Sequence, residues 1–282
     1  MNIGLVLSGG MAKGAYQIGA LKALQQFIPM SDLKYISCAS VGVLNGYAFA
    51  TGKLTLAEQM WNDICCNDSR RFISQILRSS LLQQNIKDIF NETDSLSSSF
   101  YCSLLDVDHM NIVYKDLSTV DALHIPHYLK ASVSMPFFNR SVQVNDTSYF
   151  DGALVDNIPV FPLLKHNLDY IICIYFDDFC YKFENTYFDN KLIKITFPGQ
   201  TLFNESVVLR KDHIQHMISD GYDQTTDILS SIFYHGYDDI EHIYKMILHK
   251  NLHSHPTMRI TGDVIVTNLN KVAQKITKKK IR

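Results

Sequence analysis

Ser40, Asp151 and a glycine loop near the N-terminus are the parts of this 282-residue chain whose types and spacing suit catalysis. Ser40 lies in Tyr35-Ile36-Ser37-Cys38-Ala39-Ser40-Val41-Gly42-Val43-Leu44-Asn45-Gly46, where a short apolar strand runs into the serine and a helix starts directly after it. A serine on such a turn has its Oγ thrust clear of the backbone, and the helix start behind it supplies unpaired N–H groups and partial positive charge. Val41 would add one such N–H, while Ala39, Gly42 and Gly46 keep the corner free of bulk. Cys38 stands where G-x-S-x-G has its first glycine and is expected to crowd the turn. A serine that merely caps a buried helix would have the same surroundings.

Asp151 follows Tyr149 and Phe150 and precedes Gly152. A carboxylate beside two aromatic rings is partly desolvated, which raises its pKa and makes it a better base near neutral pH. An Asp-Gly turn at a strand end is the plainer alternative. The loop Ser8-Gly9-Gly10-Met11-Ala12-Lys13-Gly14 directs successive backbone N–H groups into one small space, as an anion or a developing oxyanion requires. It does not match a nucleotide cradle: G-x-G-x-x-G is absent, and Ala15 after Gly14 breaks G-x-x-x-x-G-K-[ST]. Glycines needed only for a tight turn are the other reading of this loop.

These groups must be positioned by the elements around them. Residues 2–7 are a near-continuous apolar strand, followed by the glycine loop and an amphipathic helix from Ala15 to about Phe27 with Ile18, Leu21 and Leu24 at helical spacing. A second strand over Leu33–Ala39, the Ser40 turn and a helix to about Ala50, ended by Gly52, complete a βαβα start. From Thr55 to Phe100 the apolar pattern is helical with no strand inside it, which suits core helices or a cap over an apolar site. Strands are expected at Met110–Tyr114 and Arg140–Val144, with a helix from Val120 to Ser134 between them that Pro136 stops. Further strands at Tyr170–Phe176 and Lys191–Phe197, and helices over Glu205–Tyr234 and Asp238–His249, complete a three-layer α/β/α sandwich around a mainly parallel sheet. The expectation is one domain over residues 1–282.

The composition narrows the function. A formal charge of −2 and 46% hydrophobic residues describe an ordinary globular chain with no global attraction to nucleic acid. Six scattered cysteines without C-x-x-C give neither a disulfide framework nor a thiolate zinc site, and suit a reducing compartment. His249, His253 and His255 lack a partnering carboxylate and read as surface residues, so no metal is expected. Arg70, Arg71 and Arg78 read as a solvated face, with a phospholipid head-group contact as the minority view. The tail from about 271 to 282 carries six positive charges and reads as a solvated end, with a membrane-surface anchor as the alternative. The chain opens directly on a strand and contains no apolar run long enough to span a bilayer. A cytoplasmic location is expected, with peripheral membrane contact or export without a signal peptide as the other readings. The oligomeric state is open.

Taken in order, Ser8-Gly9-Gly10-Met11-Ala12-Lys13-Gly14, the Ser40 turn, Lys130-Ala131-Ser132-Val133-Ser134-Met135-Pro136, and Asp151-Gly152-Ala153 with Asn157 and Pro159 resemble the patatin-like phospholipases. The resemblance covers roughly residues 2–165. It implies a lipid acyl hydrolase of phospholipase or lysophospholipase type that works through a Ser-Asp dyad and an acyl-enzyme, without a cofactor. Ser40 would be the nucleophile, Asp151 its base, and Gly9, Gly10 and Met11 the oxyanion hole. Lys13, where the family has Arg or Lys, would fix the loop or offset local negative charge. Two residues depart from the pattern: Met11 replaces the third glycine of the loop and Cys38 the first glycine of the elbow. If position 11 needs φ > 0, methionine there stores about 1–3 kcal/mol of strain. The alternative these departures raise is a catalytically impaired lipid- or acyl-binding protein on the same fold.

Overall fold

The computed structural model describes residues 1–64, 71–72, 80–136, 138–176, 181–183, 186–197, 208–254 and 257–258. The strands of its main sheet are β1 (Ile3–Leu7), β2 (Leu33–Cys38), β3 (Ser99–Asp106), β4 (Asn111–Asp116), β5 (Val142–Val144), β6 (Thr147–Asp151), β7 (Tyr170–Tyr175) and β8 (Leu192–Thr196). Their order is β8-β7-β1-β2-β3-β6-β5, with β4 also joined to β3. The run from β8 to β3 is parallel, and β4, β6 and β5 add antiparallel pairings at one side.

Both faces of the central strands are covered, which is why β1 and β7 are apolar at every position rather than alternating. On one face lie the long helices α1 (Gly14–Phe27), α2 (Val41–Ala50), α3 (Leu54–Asp63), α4 (Ser80–Ile89), α5 (Ile125–Ala131), α6 (Lys211–Ile232) and α7 (Ile240–His253). They bury Ile18, Leu21, Trp61, Ile86, Leu129, Ile214 and Ile243 against Ile3, Leu5 and Leu7 of β1 and Ile172 and Ile174 of β7. The other face is a thinner layer, the 3-10 segment Phe161–Lys165 and the short helix Thr186–Asp189, with Ile158, Leu163 and Phe188 packed on Val6, Ile171 and Cys173. The three-layer α/β/α arrangement around a mainly parallel sheet thus holds. Among the described residues no helix is long and apolar enough to cross a membrane.

One expectation fails at the centre of the fold. The helical reading of Thr55–Phe100 runs over the start of β3, a central strand that the sequence pattern did not isolate. Ser97, Ser98 and Ser99 look like a polar loop, yet Ser98 is buried with its hydroxyl donating to the carbonyl of Leu33 at the start of β2, so the serines lead directly into the sheet. The rest of that stretch is helical at α3 and α4, whose Met60, Trp61 and Ile89 belong to the main core. A two-residue strand, Arg71–Phe72, pairs with Val208–Leu209 inside it, a second strand the pattern did not show. The helix expected over Val120–Ser134 is shorter, Ile125–Ala131, preceded by two 3-10 turns. The strand expected at Arg140–Val144 is the first arm of a β5–β6 hairpin whose second arm ends on Asp151. Cys65, Cys66, Arg70, Arg78, His255 and the basic tail lie outside the described residues.

Candidate active site

The missed strand β3 is what brings the two candidate catalytic groups together. β4 runs along one of its edges from Tyr101 to Asp106. The opposite edge is shared: β2 occupies Ser99–Cys102 in parallel, and β6 enters from the other end to occupy Leu104–Asp106 antiparallel. The C-terminal ends of β2 and β6 therefore meet head to head on one edge. Cys38 pairs with Cys102, and Asp151 pairs with Leu104, two residues farther along β3. Ser40, two residues past Cys38, emerges into the gap between the two strand ends.

Ser40 has φ 52 and ψ −131, a left-handed conformation that an L residue holds only when its surroundings impose it. Here the backbone on both sides is fixed. The Ala39 N–H donates to the Leu7 carbonyl at 3.0 Å, and the Val43 N–H donates to the Ser40 carbonyl at 2.9 Å as α2 begins. The Ser40 side chain makes no cap bond to its own helix, so the helix-cap alternative for this serine does not apply. The thiol of Cys38 points away from the turn into the core, where a Cβ on Gly46 would meet its Sγ at 2.7 Å. Contrary to expectation, Cys38 does not crowd the elbow, because Gly46 leaves it room.

Asp151 is buried, with 1% of its surface exposed. Its Oδ1 accepts the Ala153 N–H at 2.9 Å, while its Oδ2 is buried without a hydrogen-bond partner among the described residues. Burial pushes the carboxyl up to about 7, and the Ser40 hydroxyl and the Ala153 N–H only partly offset that. The Ser40 hydroxyl is thus near enough to this carboxyl to favour its ionised form. The Ser132-Val133-Ser134 segment after α5 has a structural role: the Ser134 carbonyl accepts the Asp151 N–H at 2.8 Å. Gly152 sits so close to β3 that a Cβ would lie 2.4 Å from the carbonyl carbon of Ser103.

The glycine loop lies against the serine. A Cβ on Gly9 would fall 2.8 Å from Cβ of Ser40 and 2.5 Å from Oδ1 of Asn157. Three consecutive peptide planes of this loop are braced. The Gly9 N–H donates to the Asn157 carbonyl at 3.2 Å, the Asn157 Nδ2 donates to the Gly9 carbonyl at 3.2 Å, and the Lys13 N–H donates to the Gly10 carbonyl at 3.0 Å. In a planar trans peptide the N–H points opposite to the C=O. Fixing the carbonyls of Gly9 and Gly10 therefore aims the N–H groups of Gly10 and Met11 the other way, and neither has an acceptor among the described residues. Gly9 was expected as a third donor, but its N–H is already committed to Asn157. Val41, the first residue of α2, likewise has no acceptor for its N–H among the described residues.

Met11 has φ 51, so position 11 does require the left-handed region and the methionine carries the strain expected there. Lys13 is 8% exposed and holds the loop through its main chain. Gly42 is buried with a Cβ position 2.7 Å from the Ser8 carbonyl, so it lets α2 start directly against the end of β1. Asn157 entered the sequence motif without a role, and the structure places it as the brace of the loop. The rings of His249 and His253 lie tilted to each other with centroids 4.3 Å apart on α7, and no group of three or more possible metal ligands gathers among the described residues.

Comparison with known proteins adds to this geometry. Among solved structures the chain is similar to VipD from Legionella pneumophila, at 12% identity and a TM-score of 0.51 over 99% of this chain and 76% of that one. It is also similar to the type III effector protein ExoU, at 13% identity and a TM-score of 0.43 over 98% of this chain and 63% of that one. No curated protein matches the sequence. The likeness to VipD is one of fold. The family model of patatin-like phospholipases matches residues 5–164, a span that runs from β1 through the glycine loop, Ser40 and Asp151 and takes in more than half of the 282 residues. The chain belongs to the patatin-like phospholipase family.

Proposed function

We propose that the protein hydrolyses carboxylic esters of lipids, as a phospholipase or lysophospholipase, with Ser40 as nucleophile and Asp151 as its base. The observation that carries this reading is the pairing of a serine held at positive φ on a strand-to-helix turn with a buried carboxyl raised to about 7 by its surroundings. A carboxyl of that pKa is ionised in a large share of molecules at neutral pH and is basic enough to accept a proton from an attacking hydroxyl.

In the proposed reaction Ser40 Oγ attacks the ester carbonyl carbon while Asp151 accepts the hydroxyl proton. The oxyanion that forms is held by the free N–H groups of Gly10, Met11 and Val41. Collapse expels the alcohol, which takes the proton from Asp151 and leaves an acyl group on Ser40. Asp151 then deprotonates a water molecule, the hydroxide attacks the acyl carbonyl, and a fatty acid departs as Ser40 recovers its proton. Lys13 and Gly9 support the loop, and Gly152 allows Asp151 to approach β3.

The alternative of an impaired binding protein drew on Cys38 and Met11. Cys38 is accommodated by Gly46, which weakens one support of that alternative, while Met11 keeps its backbone donor but carries the strain of φ 51. Incubating the protein with vesicles of phosphatidylcholine, phosphatidylglycerol and their lysolipids, with fatty acid release as the readout, tests the proposal. Release that disappears in Ser40→Ala supports it, and binding to vesicles without release favours the alternative.

A further inference from the structure

A buried chain of side-chain amides runs from α3 to the glycine loop. The indole N–H of Trp61 donates to Oδ1 of Asn45 at 3.0 Å. Nδ2 of Asn45 donates to Oε1 of Gln17 and to the Gly14 carbonyl, each at 2.9 Å. Nε2 of Gln17 donates to the Ser8 carbonyl at 2.7 Å. All three side chains are buried, and each belongs to a different helix, α3, α2 and α1.

The direction of this chain is forced. An indole nitrogen can only donate, so Asn45 must turn its oxygen to Trp61 and its NH₂ to Gln17. Gln17 must then turn its own oxygen to Asn45 and its NH₂ to Ser8. The Ser8 carbonyl belongs to the same peptide plane as the Gly9 N–H, which is held from the other side by Asn157. That plane is clamped at both ends, and it is the root from which the free N–H groups of Gly10 and Met11 project.

We propose that Gln17 and Asn45 are positioning residues for the oxyanion loop, with Trp61 setting the polarity of the relay. This rests on the hydrolase reading above. Neither amide touches the reacting atoms; their effect is to keep two donors aimed at an oxyanion that exists only after attack. An interaction made only in the transition state lowers kcat and kcat/KM together when it is lost, and leaves KM in place. Removing a single oxyanion donor costs about 100- to 1000-fold, so a loosened loop is expected to lose about ten- to a hundredfold in kcat.

The experiment compares the parent, Gln17→Met, Trp61→Phe and the double variant on a soluble p-nitrophenyl ester, with thermal unfolding recorded alongside. Gln17→Met is expected to lower kcat about ten- to a hundredfold with KM within about twofold, and Trp61→Phe to lower it about three- to tenfold. Because Trp61 acts through Gln17, the double variant should be no slower than Gln17→Met alone. The rate-against-pH midpoint, which belongs to Asp151, should stay where it is in the parent. Unchanged kcat in a folded Gln17→Met, a loss taken mainly in KM, or independent, multiplying losses in the double variant would overturn the proposal. Should Gln17→Met not fold, Trp61→Phe decides by the same kcat and KM criteria. A parent that neither turns over ester nor reacts with a fluorophosphonate overturns the hydrolase reading, and the relay's role with it; an active parent with unaffected variants overturns the relay alone.

Discussion

Asp151 faces Leu104 on the same edge of β3 where Cys38 faces Cys102, so Ser40 leaves its strand at the point where the strand bearing Asp151 arrives. This head-to-head arrangement makes the pair depend on one shared neighbour rather than on a flexible loop. It also buries the carboxyl, which sets the first expected behaviour. Asp151 must be ionised to accept the Ser40 proton, and its carboxyl is pushed up to about 7. The value of kcat/KM on a soluble ester should therefore rise with pH through about 7 and level off above it. A profile already flat from pH 5 would assign the base elsewhere.

The same burial affects stability. An aspartate is ionised above about 3.8 when unfolded, whereas in the fold it keeps its proton to about 7. Between these values the native state binds more protons than the unfolded chain, so stability falls as pH rises. The contribution of the protonated carboxyl is fully present below about pH 4 and lost as pH passes through 7. Asp151→Asn, which keeps the acceptor for the Ala153 N–H, should be more stable than the parent by about 2–4 kcal/mol at pH 8 and nearly equal to it at pH 4. Denaturant titrations at the two pH values check this, and the variant should be inactive at both.

Met11 sits at φ 51, where glycine carries no Cβ penalty. Met11→Gly should raise stability by about 0.5–2 kcal/mol, the relieved strain less the entropy of a glycine. Activity should persist, because the backbone donor is unchanged. Thermal unfolding measures the first part and ester turnover the second.

Gly152 tests how tightly the site is built. A Cβ there would meet the Ser103 backbone at 2.4 Å, and backbone cannot swing aside as a side-chain tip does. Gly152→Ala should cost at least about 2 kcal/mol and displace Asp151, with activity falling more than stability. Asn157→Ala is the milder case. It removes the Nδ2 bond to the Gly9 carbonyl, leaves the main-chain bond from Gly9, and should lower kcat about tenfold with less than about 1.5 kcal/mol of stability lost.

Much of the site was legible in the sequence because its parts are local. A strand, a serine among small residues and a helix make an elbow wherever they occur, and the glycine loop after β1 needs no distant residue to be recognised. What the sequence could not display was the meeting of these parts. The helical reading ends in a serine-rich run that overlaps the first residues of β3 and leaves Tyr101–Asp106 unassigned, and only the pairing with β2, β4 and β6 makes it a strand. The occupied N–H of Gly9 was likewise hidden, since its acceptor is the carbonyl of Asn157, 148 positions away. Gln17 and Asn45 read as ordinary polar residues on apolar helices. A glutamine and an asparagine on the buried faces of adjacent helices were the signal, and only Trp61 and the Ser8 carbonyl give it a direction.

The central claim is that Ser40 is the nucleophile. Intact-protein mass spectrometry after treatment with a fluorophosphonate tests it most directly. One adduct, mapped to Ser40, absent in Ser40→Ala and formed much more slowly in Asp151→Asn, is the expected result. Undiminished labelling of Ser40→Ala would contradict it.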